Sequence, residues 1–355
     1  MADATEEDGD YYLLPLPAEV DNTTYVSPDF YQKITIKEAR EGQEGTEKSY
    51  YYNPHFANAI LPYEEGLDLS ALASRLQALV RTPRHLYQLS LHDDYYASYH
   101  QYRFVQQLDL DYTQYTGYGL FTGDWSQAPI GSEESGPFRG SYYGGSSRIS
   151  GVRLDPGERQ YVGLFGYSTG VLDSVVLHQT QTLTVSRSGS SSAPLYAGAL
   201  AGYNGGSVTN CAAYGVELHG SGYSYSTLYL GGLVGLNRGV ISGSAAEGAD
   251  LTALTSFSHA YVGGMLGRNV AGGIVSQCYA VGQVSVTRAR YGEVYACGFA
   301  GANEGTISGS YAAVALTAAG EGSVFGFCHD TTTGCYYLNE GNFTYQATHY
   351  TARYT

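Results

Sequence analysis

From residue 161 onward, short apolar runs alternate with glycine-rich polar turns, and the pattern recurs at a nearly constant interval. Five runs begin with a tyrosine: YVGLFGYSTG from Tyr161, YAGALAGYNGG from Tyr196, YLGGLVGLNRG from Tyr229, YVGGMLGRNVAGG from Tyr261 and YACGFAGANEG from Tyr295. Successive tyrosines are 35, 33, 32 and 34 residues apart. A sixth, degraded copy runs from near Gly320 to Cys335. A fixed period of this length predicts stacked supersecondary units.

Alignment of the copies places similar residues in columns. An apolar column contains Leu164, Leu200, Leu233, Met265 and Phe299, where Leu164 fits after a one-residue deletion. A glycine column contains Gly166, Gly202, Gly235, Gly267 and Gly301. An asparagine column contains Asn204, Asn237, Asn269 and Asn303, with Ser168 in the first copy. Because Asn and Gly tolerate a positive φ, the recurring Asn-x-Gly predicts a turn between two strands.

These columns predict an all-β fold, a parallel β-solenoid of about 33-residue coils. Each copy alone cannot bury its apolar positions, whereas like residues stacked coil upon coil can. The runs are short, are bounded by glycine and lack a helical period, which excludes a helical repeat array.

Residues 67–160 predict a helical cap followed by the first coils. Residues 70–80 have helical spacing with Ser70 as a cap, and a second helix is expected from Thr82 as N-cap and Pro83 at the first helical position. Residues 104–111 alternate like a strand, and short strands are expected at 128–131, 138–141 and 148–152. We expect residues 1–66 to form an acidic, tyrosine-rich segment or a small β module. Residues 161–341 contain the repeats that form the solenoid, and residues 342–355 form a C-terminal tail.

Charge and hydropathy narrow the classes of partner. The formal net charge is −15 and all lysines lie within the first 48 residues, so binding to nucleic acid or to anionic lipid is not expected. No run of 18 apolar residues exists, and membrane insertion is therefore not expected. The acidic start is the reverse of a signal peptide. Either the protein stays inside the cell, or the chain is a piece whose signal and anchor lie elsewhere. The end in strand-like sequence favours the piece.

Two repeat copies, YLGGLVGLNRGVISGSAAEG at 229–248 and YACGFAGANEGTISGSYAAV at 295–314, resemble the GLUG-motif repeats of bacterial surface proteins. The resemblance covers roughly residues 67–341. It implies an extracellular or cell-surface bacterial protein, since such repeats accompany large adhesins and IgA1-specific metallopeptidases. The chain contains no H-E-x-x-H pair, so the peptidase activity is not carried over.

Catalytic and metal-binding patterns are weak. G-x-S-x-G at 166–170 matches a nucleophile elbow, but Ser168 falls in the asparagine column and no helix follows. His85, His92 and His100 with Asp93 and Asp94 have loose spacing for a metal. Asp109 and Asp111 lack the glycine and glutamate of a calcium loop and are expected to be structural carboxylates. Glu217 and Asp250 share a column and are the candidate acids of a β-helix enzyme; solvated charges are the other interpretation. We expect no cofactor, no metal site and no catalytic residue.

The cysteines fall into two groups. Cys211, Cys278 and Cys335 share a column with Val175, Ser244 and Ser310, which predicts a small, buried, half-apolar position with the cysteine as a thiol. The sequence leaves open whether Cys297 and Cys328 form a disulfide.

The tyrosine column predicts a stacked ladder, which has a structural interpretation and a functional one. Stacking stabilises neighbouring coils, while an outward ladder would be an aromatic platform for a sugar or a protein. The pattern leaves open whether the column faces in or out. For ligand contact we single out four tyrosines in Gly/Ser-rich loops between coils: Tyr142, Tyr143, Tyr223 and Tyr225.

The function expected from the sequence is a non-enzymatic extracellular adhesin or surface-display module. Its partner would be a host or environmental glycan or glycoprotein, held by exposed tyrosines and loop residues. Two alternatives remain: a β-helix enzyme acting on polysaccharide, and a structural stalk without a ligand of its own.

Overall fold

The chain folds into a parallel β-solenoid of about five turns of roughly 33 residues, which confirms the predicted fold class. The computed structural model describes residues 5–7, 11–13, 32–38, 46–52, 61–62, 77–91, 103–113, 126–178, 182–187, 192–222, 226–320, 322–328 and 335–337. In each full coil the chain passes through four sheets, and its strands pair in parallel with their counterparts in the next coil. On the fourth sheet the coil has either two short strands or one long strand. We call the four resulting sheets faces A, B, C and D.

The strands of each face stack in chain order. Face A contains Tyr161–Val162, Leu195–Gly198, Leu228–Gly231, Ala260–Gly263, Val294–Cys297 and Ser323–Phe325. Face B contains Phe165–Ser168, Ala201–Asn204, Val234–Asn237, Leu266–Asn269 and Ala300–Asn303. Face C contains Gln77–Val80, Arg103–Gln106, Ser141–Tyr143, Val171–Asp173, Ser207–Thr209, Val240–Ser242, Ile274–Ser276 and Thr306–Ser308.

Face D is the widest sheet. It contains Leu110–Asp111, Arg148–Ser150, Val176–His178, Leu183–Arg187, Ala212–Tyr214, Glu217–Gly222, Ala245–Thr255, Tyr279–Arg288, Tyr311–Ala319 and Tyr336–Tyr337. Outside the four faces, Thr5–Glu7 pairs with Tyr11–Leu13, and Gln32–Glu38, Thr46–Tyr52 and Leu61–Pro62 form a three-stranded antiparallel sheet.

The core is a set of stacked apolar columns inside the coils. On face C, one column runs through Phe104, Tyr142, Leu172, Val208, Ile241, Val275 and Ile307, each at most 1% exposed. Burying one such aliphatic side chain contributes about 1.5–3 kcal/mol. Because each column member is covered by the coils before and after it, the coils stabilise one another rather than folding singly.

One helix, Pro83–Leu91, begins where Thr82 and Pro83 predicted it. The Thr82 carbonyl accepts a hydrogen bond from the His85 amide, and Leu86 and Leu89 are fully buried in the core. The predicted helix over 70–80 is wrong at residues 77–80, which are a strand of face C; residues 70–76 lie outside the described part. Ala78 and Val80 are buried while Leu79 is half-exposed, so pairing with Arg103–Gln106 imposes a period of two on a sequence that also fits a helix.

The glycine column is required by close approach of two backbones. A Cβ on Gly235 would lie 2.6 Å from the amide nitrogen of Ala197 and 2.7 Å from the carbonyl oxygen of Gly202. A Cβ on Gly198 of face A would likewise lie 2.6 Å from the Cα of Val234. Faces A and B therefore pack backbone against backbone, and no side chain fits between them.

The asparagine column forms a buried ladder at the predicted turn, since each asparagine ends a face B strand just before the face C strand begins. The Nδ2 of Asn204 donates to the Oδ1 of Asn237, Asn237 donates to Asn269, and Asn269 donates to Asn303, each at 2.8 Å. All four lie inside face B strands and are at most 5% exposed. The positive φ expected for this column is wrong, since the described non-glycine residues with positive φ are Ser146, Ser174, Asn210 and Gln277. The amide side chain serves both its own turn and the next coil, since the Gly206 amide donates to Oδ1 of Asn204 at 3.2 Å and Nδ2 of Asn237 donates to the Gly239 carbonyl at 3.2 Å.

Candidate ligand-binding surface

The tyrosine column of face A is a continuous aromatic ladder, as predicted. Ring centroids of Tyr161, Tyr196, Tyr229, Tyr261 and Tyr295 are separated by 5.4, 4.9, 5.1 and 5.0 Å in turn. The ladder points outward, because the next residue of each strand, from Val162 to Ala296, is fully buried in the core.

This outward ladder nevertheless offers little aromatic surface. The first three pairs stack with interplanar angles of 18, 11 and 12°, so each inner ring has both faces against neighbours, and Tyr196 is only 5% exposed. The Arg268 guanidinium lies 5.3 Å from the Tyr229 ring centroid and donates its Nε to Glu304 at 3.1 Å. Burial raises the pKa of Tyr229 to about 12. These features assign the face A ladder to stacking of the coils.

A second tyrosine row lies on face D and is much more open. Tyr279, Tyr311 and Tyr336 are partners in register on the last three strands of this face. The Tyr279 and Tyr311 rings stack at 5.2 Å with an interplanar angle of 6°. Tyr311 is 42% exposed and Tyr336 is 40% exposed. We call these three residues the face D row.

A carboxylate adjoins the face D row. The Tyr279 hydroxyl donates to Oε2 of Glu247 at 3.1 Å, and the Glu247 side chain is otherwise exposed. Burial, followed by this hydrogen bond, raises the pKa of Tyr279 to about 12, so the phenol remains protonated at neutral pH. The row thus combines exposed ring surface with hydroxyl groups and an acceptor, which suits a ligand with apolar faces and many hydroxyls.

Glu217 and Asp250 also lie on face D and pair in register, as their shared column predicted. Glu217 accepts from the Thr182 hydroxyl at 2.5 Å, and Asp250 accepts from Nε2 of Gln283 at 2.7 Å. Neutral donors therefore hold both carboxylates in place.

The tyrosines singled out from the sequence have three different outcomes. Tyr142 is fully buried, and its hydroxyl donates to Oε1 of Gln106 at 3.1 Å, so its assignment to an exposed loop is wrong. Its strand lies in a coil before the regular repeats, where the period gives no guide to which side chains point inward. Tyr143 is half-buried, with the Arg103 guanidinium 5.0 Å from its ring centroid. Tyr223 and Tyr225 lie outside the described residues.

Sequence reasoning missed the face D row, although a signal was present. Each of its tyrosines directly follows a member of the cysteine and serine column, at Cys278, Ser310 and Cys335. In earlier coils the same position is Val176, Ala212 or Ala245. The change from small residues to tyrosine occurs over three successive coils, which a comparison of columns beyond the Tyr-to-Tyr alignment would have found.

The cysteine and serine column is buried from Val175 to Ser310, as predicted, whereas Cys335 is half-exposed; the column carries hydrogen bonds between coils. Sγ of Cys211 accepts the Val175 amide at 3.4 Å, and Oγ of Ser244 accepts the Cys211 amide at 3.1 Å. Oγ of Ser310 accepts the Cys278 amide at 3.2 Å. Burial raises the pKa of the Cys211 thiol to about 12 and that of Cys278 to about 11. Cys297 and Cys328 are both buried thiols rather than a disulfide.

The remaining candidates have two outcomes: Ser168, Asp109 and Asp111 have structural surroundings, whereas His92, Asp93, Asp94 and His100 lie outside the described residues. Ser168 is fully buried and pairs in register with Asn204, in the position that its column predicted. Asp109 accepts the Arg148 amide at 2.7 Å, and Asp111 accepts the Thr113 amide at 2.9 Å, so both carboxylates hold local backbone in place. Among the described residues, no group of three or more His, Cys, Asp or Glu side chains is arranged to hold a metal. No helix in that part of the chain is long and apolar enough to span a bilayer.

Comparison with known proteins adds no assignment. No family model matches the chain, and no curated protein matches it. The function therefore has to be argued from the solenoid and its surfaces.

Proposed function

We propose that this chain is a non-enzymatic surface-display module of a bacterium that binds a host or environmental glycan along the face D row. The observation that carries the proposal is the exposure of Tyr311 and Tyr336 at 42% and 40%, in register on neighbouring strands. Buried core tyrosines such as Tyr142 have no such exposure.

Tyrosine suits this role for physical reasons. Its ring supplies a large, rigid contact area at a small cost in side-chain entropy, and its hydroxyl adds a hydrogen bond at the edge. Strands of a solenoid lie about 4.8 Å apart, so three rungs span roughly 10 Å along the axis. That spacing suits an extended polymer of sugar units better than a single small ligand.

The surrounding scaffold supports a binding surface rather than a flexible tail. The row lies on strands that are paired along most of their length, from Tyr279–Arg288 to Tyr311–Ala319. A rigid scaffold lowers the entropy lost on binding. The resemblance of the repeats to those of bacterial surface proteins supports a location outside the cell.

The experiment is a glycan and mucin array on the full chain, followed by affinity measurements on each hit. The Tyr311→Ala/Tyr336→Ala double variant should lose at least about tenfold in affinity, since truncating a central aromatic contact typically costs more than ~1 kcal/mol. The matched control is Tyr291→Ala, which removes a tyrosine that is 67% exposed and lies away from the row. Equal binding by the double variant and the wild type, or a loss confined to Tyr291→Ala, would contradict the assignment.

A β-helix enzyme acting on polysaccharide is the second candidate. The observation that favours it is the register pairing of Glu217 with Asp250 on neighbouring strands, since glycosidases act through paired carboxylates. New reducing ends from a glycan panel, lost in Glu217→Gln and Asp250→Asn variants, would support this function. If the chain shows no saturable binding and no turnover on the panel, the results would favour a stalk that only spaces other domains.

A further inference from the structure

The charge next to the face D row is negative, and no ion pair between described residues neutralises it. The ion pairs found among the described residues are His259 with Glu293 and Arg268 with Glu304, and neither involves Glu247. The partner of Glu247 is the neutral Tyr279 hydroxyl, and the partner of Asp250, three residues further along, is the neutral Gln283 amide.

The arginines whose side chains the structure describes on face D lie far from Glu247. Arg148 is on a strand three positions away in the sheet, about 14 Å at ~4.8 Å per strand. Arg288 lies seven residues beyond Val281, the register partner of Glu247, or about 23 Å at ~3.3 Å per residue. Both distances exceed the Debye length of about 8 Å at physiological ionic strength. A ligand on the row therefore meets the field of the two carboxylates.

On this basis, and resting on the proposed function, we infer that the face D row accepts uncharged polysaccharides and that Glu247 excludes acidic ones. Neutral hexose or N-acetylhexosamine units place hydroxyl or amide donors on the Glu247 oxygen that Tyr279 does not occupy, while their apolar faces contact Tyr311. A uronate, sialate or sulfate in the same place would put like charges together. Within a Debye length this repulsion is weakly screened, and it is repeated at each acidic unit of a polymer.

The experiment measures affinity of the full chain for matched soluble polymers. The neutral probes are a β-mannan, a β-glucan and N-acetylglucosamine oligomers; the acidic probes are polygalacturonate and hyaluronan. The wild type should bind at least one neutral probe and should bind the acidic probes about tenfold more weakly or not at all at low salt. Glu247→Gln keeps an acceptor for Tyr279. It should raise affinity for the acidic probes about two- to fivefold and should not raise affinity for the neutral probes, because its Nε2 cannot accept their hydroxyl or amide donors.

Glu134→Gln is the matched control, because it removes the same charge from an exposed turn outside face D. An equal gain in Glu134→Gln would show that net charge, not Glu247, sets the preference, and would overturn the inference. Tight binding of an acidic probe by the wild type, lost in Tyr311→Ala/Tyr336→Ala, would overturn the inference and leave the proposed function standing. Binding to none of the probes or array glycans would remove both.

Discussion

Removal of one rung of the asparagine ladder should destabilise the solenoid more than most single substitutions. Asn237 is the central test position, because it is fully buried and bonded on both sides at 2.8 Å. Its Nδ2 also donates to the Gly239 carbonyl at 3.2 Å. Asn237→Ala therefore removes one acceptor and an amide nitrogen that donates two hydrogen bonds from the middle of face B.

The magnitude follows from the groups left behind. Asn204 keeps a second partner, the Val240 carbonyl at 3.2 Å, whereas Oδ1 of Asn269 and the Gly239 carbonyl lose the Asn237 amide donor. An unsatisfied buried polar group costs about 1–3 kcal/mol, and water entering the space left by the amide would recover part of it. We expect the free energy of unfolding to fall by about 2–4 kcal/mol.

Urea unfolding followed by far-UV circular dichroism measures the effect, with hydrogen exchange of face B amides as a local readout if the array unfolds in stages. Asn303→Ala is the internal comparison: Asn303 is the last of the four described rungs and shares one ladder bond where Asn237 shares two, and we expect a loss of about 1–2 kcal/mol. Two results would refute the ladder as a stabilising network. One is a loss of unfolding free energy below about 0.5 kcal/mol for Asn237→Ala, which is the range of ordinary surface changes. The other is a loss for Asn237→Ala that is no larger than that for Asn303→Ala.

Three further predictions concern the scaffold. Gly235→Ala should lower stability by at least about 3 kcal/mol in the same urea assay, because its Cβ would lie 2.6 Å from the backbone of Ala197; near-wild-type stability would show that faces A and B can separate. Cys211→Ser should change stability by less than about 1 kcal/mol, because serine can also accept the Val175 amide, whereas Cys211→Val should lower stability by more. Burial raises the pKa of the native Cys211 thiol to about 12, so this thiol should react slowly with a thiol reagent at neutral pH. Burial, followed by repulsion from Arg84 and Arg81, lowers the pKa of His85 from 6.5 to about 4. Protonation therefore favours the unfolded chain, and stability present above pH 6.5 should be lost as pH falls towards 4. His85→Asn keeps an acceptor for the Arg81 amide and should reduce this loss. If stability falls with pH in the variant as it does in the wild type, the assignment to His85 is contradicted.

The sequence by itself determined the repeat and the columns. Parallel stacking places each residue beside its counterpart one coil away. A column therefore holds residues that pack against, or hydrogen-bond to, similar residues, and the sequence shows this as similar residues recurring at a fixed interval. Tyr161 to Tyr295 and the cysteine and serine column were predicted for this reason. The helix at Pro83 was equally readable, since its start depends on local capping.

Only the tertiary structure decided which way the columns face and which polar residues are buried. Face A lies so close to face B that both sides of the regular face A strands carry apolar residues, tyrosine or glycine, so alternation gave no direction for the tyrosines. The sequence predicted the turn after each asparagine correctly. It did not show that the same side chain also bonds to the coil stacked above, about 33 residues away. Tyr142 and residues 77–80 lie in coils before the regular period begins, where burial depends on pairing with face C partners distant in the chain. Those long-range contacts, not the local sequence, place Tyr142 inside the core and leave Tyr311 and Tyr336 at the surface.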